Sequence, residues 1–348
     1  MLSYSSSVIV LDTRSSEERL TLDTVILTTQ LQKSFPSKGG PIEAVRGVSI
    51  EVQRGEIFGF LGPNGAGKTT TLRMLTTLLP IGGGSATVAG FDVARQPQQV
   101  RQRIGYVSQL GGADDLATGR ENLILQGRLY GGDLASVSAR ADTLMKILDI
   151  EEFADRRVKT YSGGQRRRLD VALGVVHEPE VLFLDEPSTG LDPQNRANLW
   201  DHVRRLREHG TTVFLTTHYL EEADALCDRL MIIDHGKIVI EGSPRDLKRD
   251  VAGDAILLSL HDTDSVLLRA QSVLEGESYV REVNTEGDQL RLYVEDGSTA
   301  LPKLMRLLDQ ERITLRSISL SEPTLDDVFL RETGRSLRDT GAGEGVAA

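Results

Sequence analysis

Gly62-Pro63-Asn64-Gly65-Ala66-Gly67-Lys68-Thr69-Thr70 lies between the apolar run Gly55-Glu56-Ile57-Phe58-Gly59-Phe60-Leu61 and the helical pattern Thr70-Thr71-Leu72-Arg73-Met74-Leu75. Glycines at 62, 65 and 67 let the backbone wrap closely around an oligophosphate, with successive N–H groups turned inward as an anion nest. The run before them reads as a buried strand, and the pattern after them as a helix whose N-terminus faces the phosphates. Lys68 is then within reach of the outer phosphates, and Thr69 offers a hydroxyl to magnesium. This strand, loop and helix predict an α/β fold of the P-loop NTPase class, with residues 62–70 holding the nucleotide.

Val181-Leu182-Phe183-Leu184 runs into Asp185-Glu186-Pro187. Four apolar residues followed by two carboxylates read as a buried parallel strand that delivers its acids at the C-terminal end, where open α/β sheets bind ligands. Asp185 is expected to hold the magnesium shell, and Glu186 to polarise the water that attacks the γ-phosphate. His218 repeats that placement at the end of Thr212-Val213-Phe214-Leu215-Thr216-Thr217, where an imidazole can bond the γ-phosphate.

Tyr161-Ser162-Gly163-Gly164-Gln165 completes a set of motifs that resembles the ATP-binding subunits of ABC transporters. The family signature usually opens with Leu, so Tyr161 is a departure that keeps the position apolar and leaves the Ser-Gly-Gly core intact. The resemblance implies that Ser162, Gly163, Gly164 and Gln165 open a helix that contacts ATP bound to a second copy of the chain. Gln109, after Ile104-Gly105-Tyr106-Val107-Ser108, corresponds to the glutamine of the Q-loop, a magnesium and water ligand near the membrane partner. Asp192 ends Ser188-Thr189-Gly190-Leu191-Asp192, which corresponds to the D-loop crossing the dimer interface. Phe35 falls where the family stacks an aromatic on adenine, and the residues alone equally allow a core position. The resemblance spans roughly residues 25 to 245. Three further segments, Thr118-Gly119-Arg120-Glu121-Asn122-Leu123, Arg166-Arg167-Arg168-Leu169 and Pro323-Thr324-Leu325-Asp326-Asp327-Val328-Phe329-Leu330, narrow it to the daunorubicin and multidrug resistance export group.

The chain has 348 residues, 39% of them hydrophobic, enough for one large domain and one small one. No run approaches the 18 or so apolar residues of a membrane span, and no secretion signal opens the sequence. A transport role therefore implies separate integral-membrane permease subunits, with this chain peripheral on the cytoplasmic face of the membrane and touching it only through them. A net charge of −11 disfavours a nucleic-acid partner, since such binding rests on phosphate neutralisation. Arg166-Arg167-Arg168 and Arg204-Arg205 with Arg207 are expected on solvated helix faces, although the first run directly follows the signature. The single cysteine, Cys227, reads as an inert core thiol and excludes an internal disulfide.

Residues 1–23 read as a polar N-terminal extension and 24–245 as the ATP-binding domain. Its start carries a small antiparallel β subdomain, and residues from about 110 to 165 form an inserted helical subdomain, with helices near 119–130 and 137–148. Residues 250–334 alternate as β-α-β-β-α-β, a small ferredoxin-like α+β domain for dimerisation, interaction or regulation. Residues 335–348 read as a disordered tail. Together these readings anticipate a homodimer that uses ATP and Mg2+ to power export of a drug-like or lipophilic compound. The rival expectation is a soluble ABC-type ATPase of translation or DNA repair. Such proteins usually carry two cassettes or a long coiled coil, and the sequence shows neither.

Overall fold

The computed structural model describes residues 23–252, 254–260, 264–286, 289–321 and 323–334. The chain begins with β1 (Thr24–Phe35), β2 (Ile42–Val48), β3 (Glu51–Gln53) and β4 (Ile57–Leu61), followed by α1 (Lys68–Leu75), β5 (Gly83–Val88) and β6 (Phe91–Asp92). Next come α2 (Pro97–Arg103), β7 (Ile104–Val107), α3 (Gly119–Leu129), α4 (Leu134–Ile147) and α5 (Gly163–Val175). The ATP-binding half closes with β8 (Val181–Asp185), α6 (Pro193–Glu208), β9 (Thr212–Thr217), α7 (Leu220–Leu226), β10 (Arg229–Asp234), β11 (Lys237–Gly242) and α8 (Pro244–Ala252).

The central sheet has the order β11-β10-β4-β9-β8-β7 and is parallel except for the β10–β11 hairpin. Helices cover such a sheet on both faces, which is why its strands read as continuous apolar runs. In β8, Val181 and Phe183 join one core while Leu182 and Leu184 join the other, following the two-residue period of a strand. Phe214 of β9 fills the first core against Phe58 and Phe183, each with ring centroids 5.5 Å away. Register decides the rest: Leu61 pairs with Thr217, and Asp185 with Thr216. The C-terminal ends of β4, β9 and β8 therefore lie side by side, each releasing a functional loop.

The small antiparallel sheet runs β2-β1-β5-β6, with β3 also on β1. The sequence reading saw only its first hairpin; β5 and β6 return from beyond α1 to widen it. Cys227, one residue past α7, is buried, and that burial pushes its thiol well above the ordinary range.

The C-terminal part contains β12 (Asp254–Leu260), α9 (Asp264–Glu275), β13 (Val280–Glu286), β14 (Gln289–Val294), α10 (Gly297–Gln310), β15 (Leu315–Ser321) and α11 (Leu325–Thr333). Its sheet order, β13-β14-β12-β15, is antiparallel throughout and has the ferredoxin-like arrangement. Ile256, Leu258 and Leu260 of β12 pack one face into a core with Ala270, Leu274, Leu304 and Leu308 of α9 and α10. Helix α11 instead buries Leu325, Val328 and Phe329 in the core of the ATP-binding half. Asp327 ties the two together, accepting hydrogen bonds from the Tyr293 hydroxyl at 2.6 Å and from Thr324 N and Oγ1 at 2.7 Å, with Arg291 Nη1 at 3.3 Å. The extension expected at 1–23, except Asp23, and the tail expected at 335–348 lie outside the described residues.

Candidate functional site

The loop from Gly62 to Gly67 depends on the absence of side chains. A Cβ on Gly62 would stand 2.2 Å from the Ile233 carbonyl, and one on Gly67, which has φ 106°, would stand 2.4 Å from the Ala44 carbonyl. Gly67 caps α1, so the free N–H groups of that helix point into the loop as the sequence requires. Pro63 and Ala66 are buried, Asn64 and Gly65 are exposed, and Thr69 and Thr70 are half-buried. Lys68 lies beneath the loop, 4% exposed, donating to the Gly62 carbonyl at 2.8 Å and the Pro63 carbonyl at 3.1 Å. Burial lowers its pKa, against the pull of Glu186 and Asp185.

Asp185 ends β8 and is buried. Its Oδ1 accepts from Thr216 Oγ1 at 2.7 Å and from Thr69 Oγ1 at 3.2 Å. Thr69 and Asp185 thus present converging hard oxygens at the junction of α1 and β8, a donor set that suits a divalent cation of the magnesium type. Gln109 is exposed in the turn after β7 and makes no hydrogen bond to either residue.

Glu186 occupies the left-handed region at φ 45°, uncommon for a non-glycine residue and frequent at functional sites. Two bonds hold it there, from its N–H to the Thr216 carbonyl and to Thr216 Oγ1, both at 3.1 Å. Its carboxylate lies 3.3 Å from Lys68 Nζ through Oε1 and 3.3 Å from His218 Nδ1 through Oε2; the His218 contact lacks hydrogen-bond alignment. Burial raises the Glu186 pKa, but His218 and Lys68 outweigh it and hold the group down at about 2. Lys68 and His218, 150 positions apart in sequence, therefore both reach Glu186, and the preceding Asp185 reaches Thr69, the residue after Lys68.

Ser162 and Gly163 are exposed at the start of α5. Ser162 and Gln165 form a reciprocal capping box, Gln165 N donating to Ser162 Oγ at 3.3 Å and Ser162 N to Gln165 Oε1 at 3.0 Å. Tyr161 anchors this turn with its ring edge-on to Phe153 at 4.8 Å and its hydroxyl donating to the Phe153 carbonyl at 2.7 Å. The aromatic departure from leucine is thus packed and hydrogen-bonded. Asp192 caps α6 through Asn195 N at 2.9 Å and also holds Asn195 Nδ2 at 2.6 Å. Gly164 abuts that asparagine: a Cβ there would stand 2.3 Å from Asn195 Oδ1. Phe35 is 36% exposed at the end of β1, outside both cores, with Lys33 Nζ 5.7 Å from its ring centre. That exposure argues against a core position.

Thr216 was not singled out in the sequence, and Arg167 was noted only as a member of the run Arg166–Arg168. Thr216 could have been suspected from the two threonines that end an otherwise apolar strand. The arginine run is a correction: Arg166–Arg168 do not form a solvated face. Successive helical residues point about 100° apart. Arg166 pairs with Asp115 at 2.6 Å, Arg168 donates to the Asp149 carbonyl at 2.7 Å, and Arg167 turns inward with 7% exposure.

Comparison with known proteins agrees with this geometry. The family model described as "ABC transporter" matches residues 45–189, and that described as "ATP-binding protein DrrA1-3-like, C-terminal domain" matches residues 242–333. The daunorubicin resistance ATP-binding protein DrrA2 of Streptomyces coeruleorubidus is 45% identical over 317 residues, 90% of this chain and 97% of that protein. The doxorubicin resistance ATP-binding protein DrrA of Mycobacterium tuberculosis is 41% identical, covering 89% of this chain and 94% of that protein. The Nod factor export ATP-binding protein I of Burkholderia lata is 39% identical, covering 85% and 93%. Among solved structures, the dimeric post-hydrolysis state of the ATP-binding cassette MJ0796 with ADP and Pi superposes with a TM-score of 0.57 at 23% identity. That match covers 63% of this chain and 98% of the cassette, and speaks to the fold alone.

Proposed function

The chain belongs to the ATP-binding subunits of ABC transporters and is an ATP hydrolase, and from that premise we propose that it powers export of a drug-like or lipophilic compound through separate membrane subunits. Support for the export reading comes from relatives named for drug resistance and Nod factor export, matched over nearly their whole length. Among the described residues no helix is long and apolar enough to cross a membrane, which fits a peripheral subunit held at the cytoplasmic face by its permease.

One arrangement carries the mechanism: Glu186, next to Asp185 in the chain, contacts Lys68 through one carboxylate oxygen and His218 through the other. Residues 62–70 wrap the phosphates of ATP, and Phe35 stacks on adenine. Thr69 and Asp185, with Gln109, would hold Mg2+, which would supply charge neutralisation for the phosphates. Glu186 orients a water and takes its proton as the water oxygen bonds to the γ-phosphorus and the bond to the bridging oxygen breaks, leaving ADP and phosphate. While Lys68 contacts Glu186, the carboxylate is a weak base; moving the ammonium onto the phosphates raises its basicity where the proton must go. His218 donates to the γ-phosphate.

Two copies dock head to tail, each ATP lying between residues 62–70 of one and Ser162, Gly163, Gly164 and Gln165 of the other, with Asp192 at the interface. ATP stabilises the closed pair by mass action, and hydrolysis releases it. The permease rests near Gln109 and the helical subdomain, about residues 110–165, and converts closing and opening into transport. Residues 24–245 form the ATP-binding domain in this scheme, and 250–334 an accessory domain.

The test is to tag the chain, solubilise native membranes in mild detergent and identify what co-purifies. A stoichiometric polytopic membrane protein supports the transporter reading. Ribosomes or DNA-processing proteins in its place would favour a soluble ABC-type ATPase.

A further inference from the structure

Arg167 is a buried cation without an ion pair among the described residues. Its three contacts are all backbone carbonyls: Nε donates to Pro187 O at 2.7 Å, Nη1 to Ser108 O at 2.7 Å and Nη2 to Asp185 O at 3.4 Å. Two of these acceptors flank Glu186 in sequence, and the third belongs to the residue before Gln109. One turn further along α5, buried Asp170 accepts from Gly112 N at 3.0 Å. Gly111 N bonds back to Ser108 O, and Ser108 Oγ to Gly111 O, both at 3.2 Å. Gly111, at φ 76°, leaves room for Asp170, since a Cβ there would stand 2.6 Å from its Oδ2. Residues 108–112 thus form a closed turn, gripped at one end by Arg167 and at the other by Asp170, with Gln109 within it.

The carboxylates of Asp170, Glu222 and Asp185 stabilise this guanidinium at a distance, but none pairs with it directly and burial still outweighs them; an apolar side chain of similar volume often serves stability as well or better. What the guanidinium adds is a rigid planar fork that sets the spacing of its acceptors. The helix that supplies it also presents Ser162 at its exposed end, five residues earlier.

We propose that Arg167 is a positioning residue that ties the helix presenting Ser162 to the loops carrying Gln109 and Glu186, so that engagement of the signature is felt at the hydrolytic site of the same chain. This inference rests on the roles given above to Gln109, Glu186 and Ser162. Lysine cannot replace the fork, because a single ammonium on a flexible stem does not hold three carbonyls at fixed separations.

The experiment compares full-length wild type with R167K, R167Q and G111A, alongside E186Q, measuring thermal unfolding, ATP affinity and steady-state hydrolysis with Mg2+. G111A displaces the same turn without touching the arginine. Both arginine variants and G111A are expected to keep ATP affinity within about threefold, because residues 62–70 are untouched, while kcat falls roughly tenfold to a hundredfold, the scale of a misplaced catalytic group. Wild-type kcat in R167K, or a loss matching the fall in folded fraction or ATP affinity, overturns the inference. If the arginine variants fail to fold, G111A decides: unchanged kcat sinks it. Full turnover by E186Q would instead refute the role of Glu186, whereas an inactive E186Q beside a fully active R167K defeats only the coupling.

Discussion

Lys68 Nζ and Glu186 Oε1 lie 3.3 Å apart, joining the phosphate-binding loop to the end of β8 through two largely buried opposite charges. Each charge has a second commitment, Lys68 to the carbonyls of Gly62 and Pro63 and Glu186 to His218. Removing either partner leaves the other buried and under-compensated, so single substitutions here should have large effects.

Lys68→Ala is expected to weaken ATP binding by at least about tenfold, since it removes a charge-assisted contact to phosphate. Titration with a fluorescent ATP analogue reads this directly. Affinity within twofold of wild type would show that the backbone nest suffices.

Glu186→Gln keeps the shape and the Thr216 contacts but cannot accept a proton. Hydrolysis should fall by about 10²- to 10⁴-fold, the range attributed to general base catalysis, with ATP binding intact. The variant should also elute as a dimer in ATP during size-exclusion chromatography. Normal turnover would remove Glu186 from the base role.

The pH dependence of stability has a definite sign. The Glu186 pKa is depressed from about 4.5 to about 2 in the folded chain, so its stabilising contribution is full above the higher value and disappears as pH falls toward the lower. Denaturant unfolding of wild type and E186Q should therefore show a gap that narrows between pH 4.5 and 2. A gap independent of pH across that window would mean the pair is not formed.

Gly163 and Gly164 should respond differently to alanine. A Cβ on Gly163 meets open space, whereas one on Gly164 meets Asn195 Oδ1 at 2.3 Å, and that side chain is held by Asp192. Gly164→Ala is expected to cost on the order of 1 kcal/mol and to lower Tm by a few degrees, with Gly163→Ala near neutral. Calorimetry of the two variants checks the order, and equal Tm values would contradict the packing described.

Asp327→Asn should loosen the C-terminal sheet from α11 by weakening the bonds from Tyr293 and Thr324 and the pairing with Arg291. A loss of about 1–3 kcal/mol is expected for a buried polar network left incompletely satisfied. Limited proteolysis should then release the ATP-binding half faster, and an unchanged cleavage rate would argue against the tie.

The phosphate loop, the Asp185-Glu186 pair and the signature were legible because each is contiguous, and its chemistry follows from residue type and order. Glycine at 62 and 67, lysine at 68 and two acids after an apolar strand describe their own local geometry. The ferredoxin-like arrangement was legible for a similar reason, since alternating periods of two and three to four residues announce each element in turn. Less visible were β5 and β6, whose six and two residues carry little pattern of their own and acquire strand geometry only by pairing with β1. Arg167 was misread because charge argues for solvent, and only packing reveals that three carbonyls await it inside.

The sequence by itself determined which groups are available: a nest for phosphate, a lysine, two acids, a histidine and a capped signature helix. The tertiary structure decided which of them meet. Asp185 reaches Thr216 and Thr69, and Glu186 reaches His218 and Lys68, because β4, β9 and β8 pair in parallel with their ends in register. That register is a balance of non-local burial on both faces of the sheet, written in no single segment, and it is what turns separate motifs into one site.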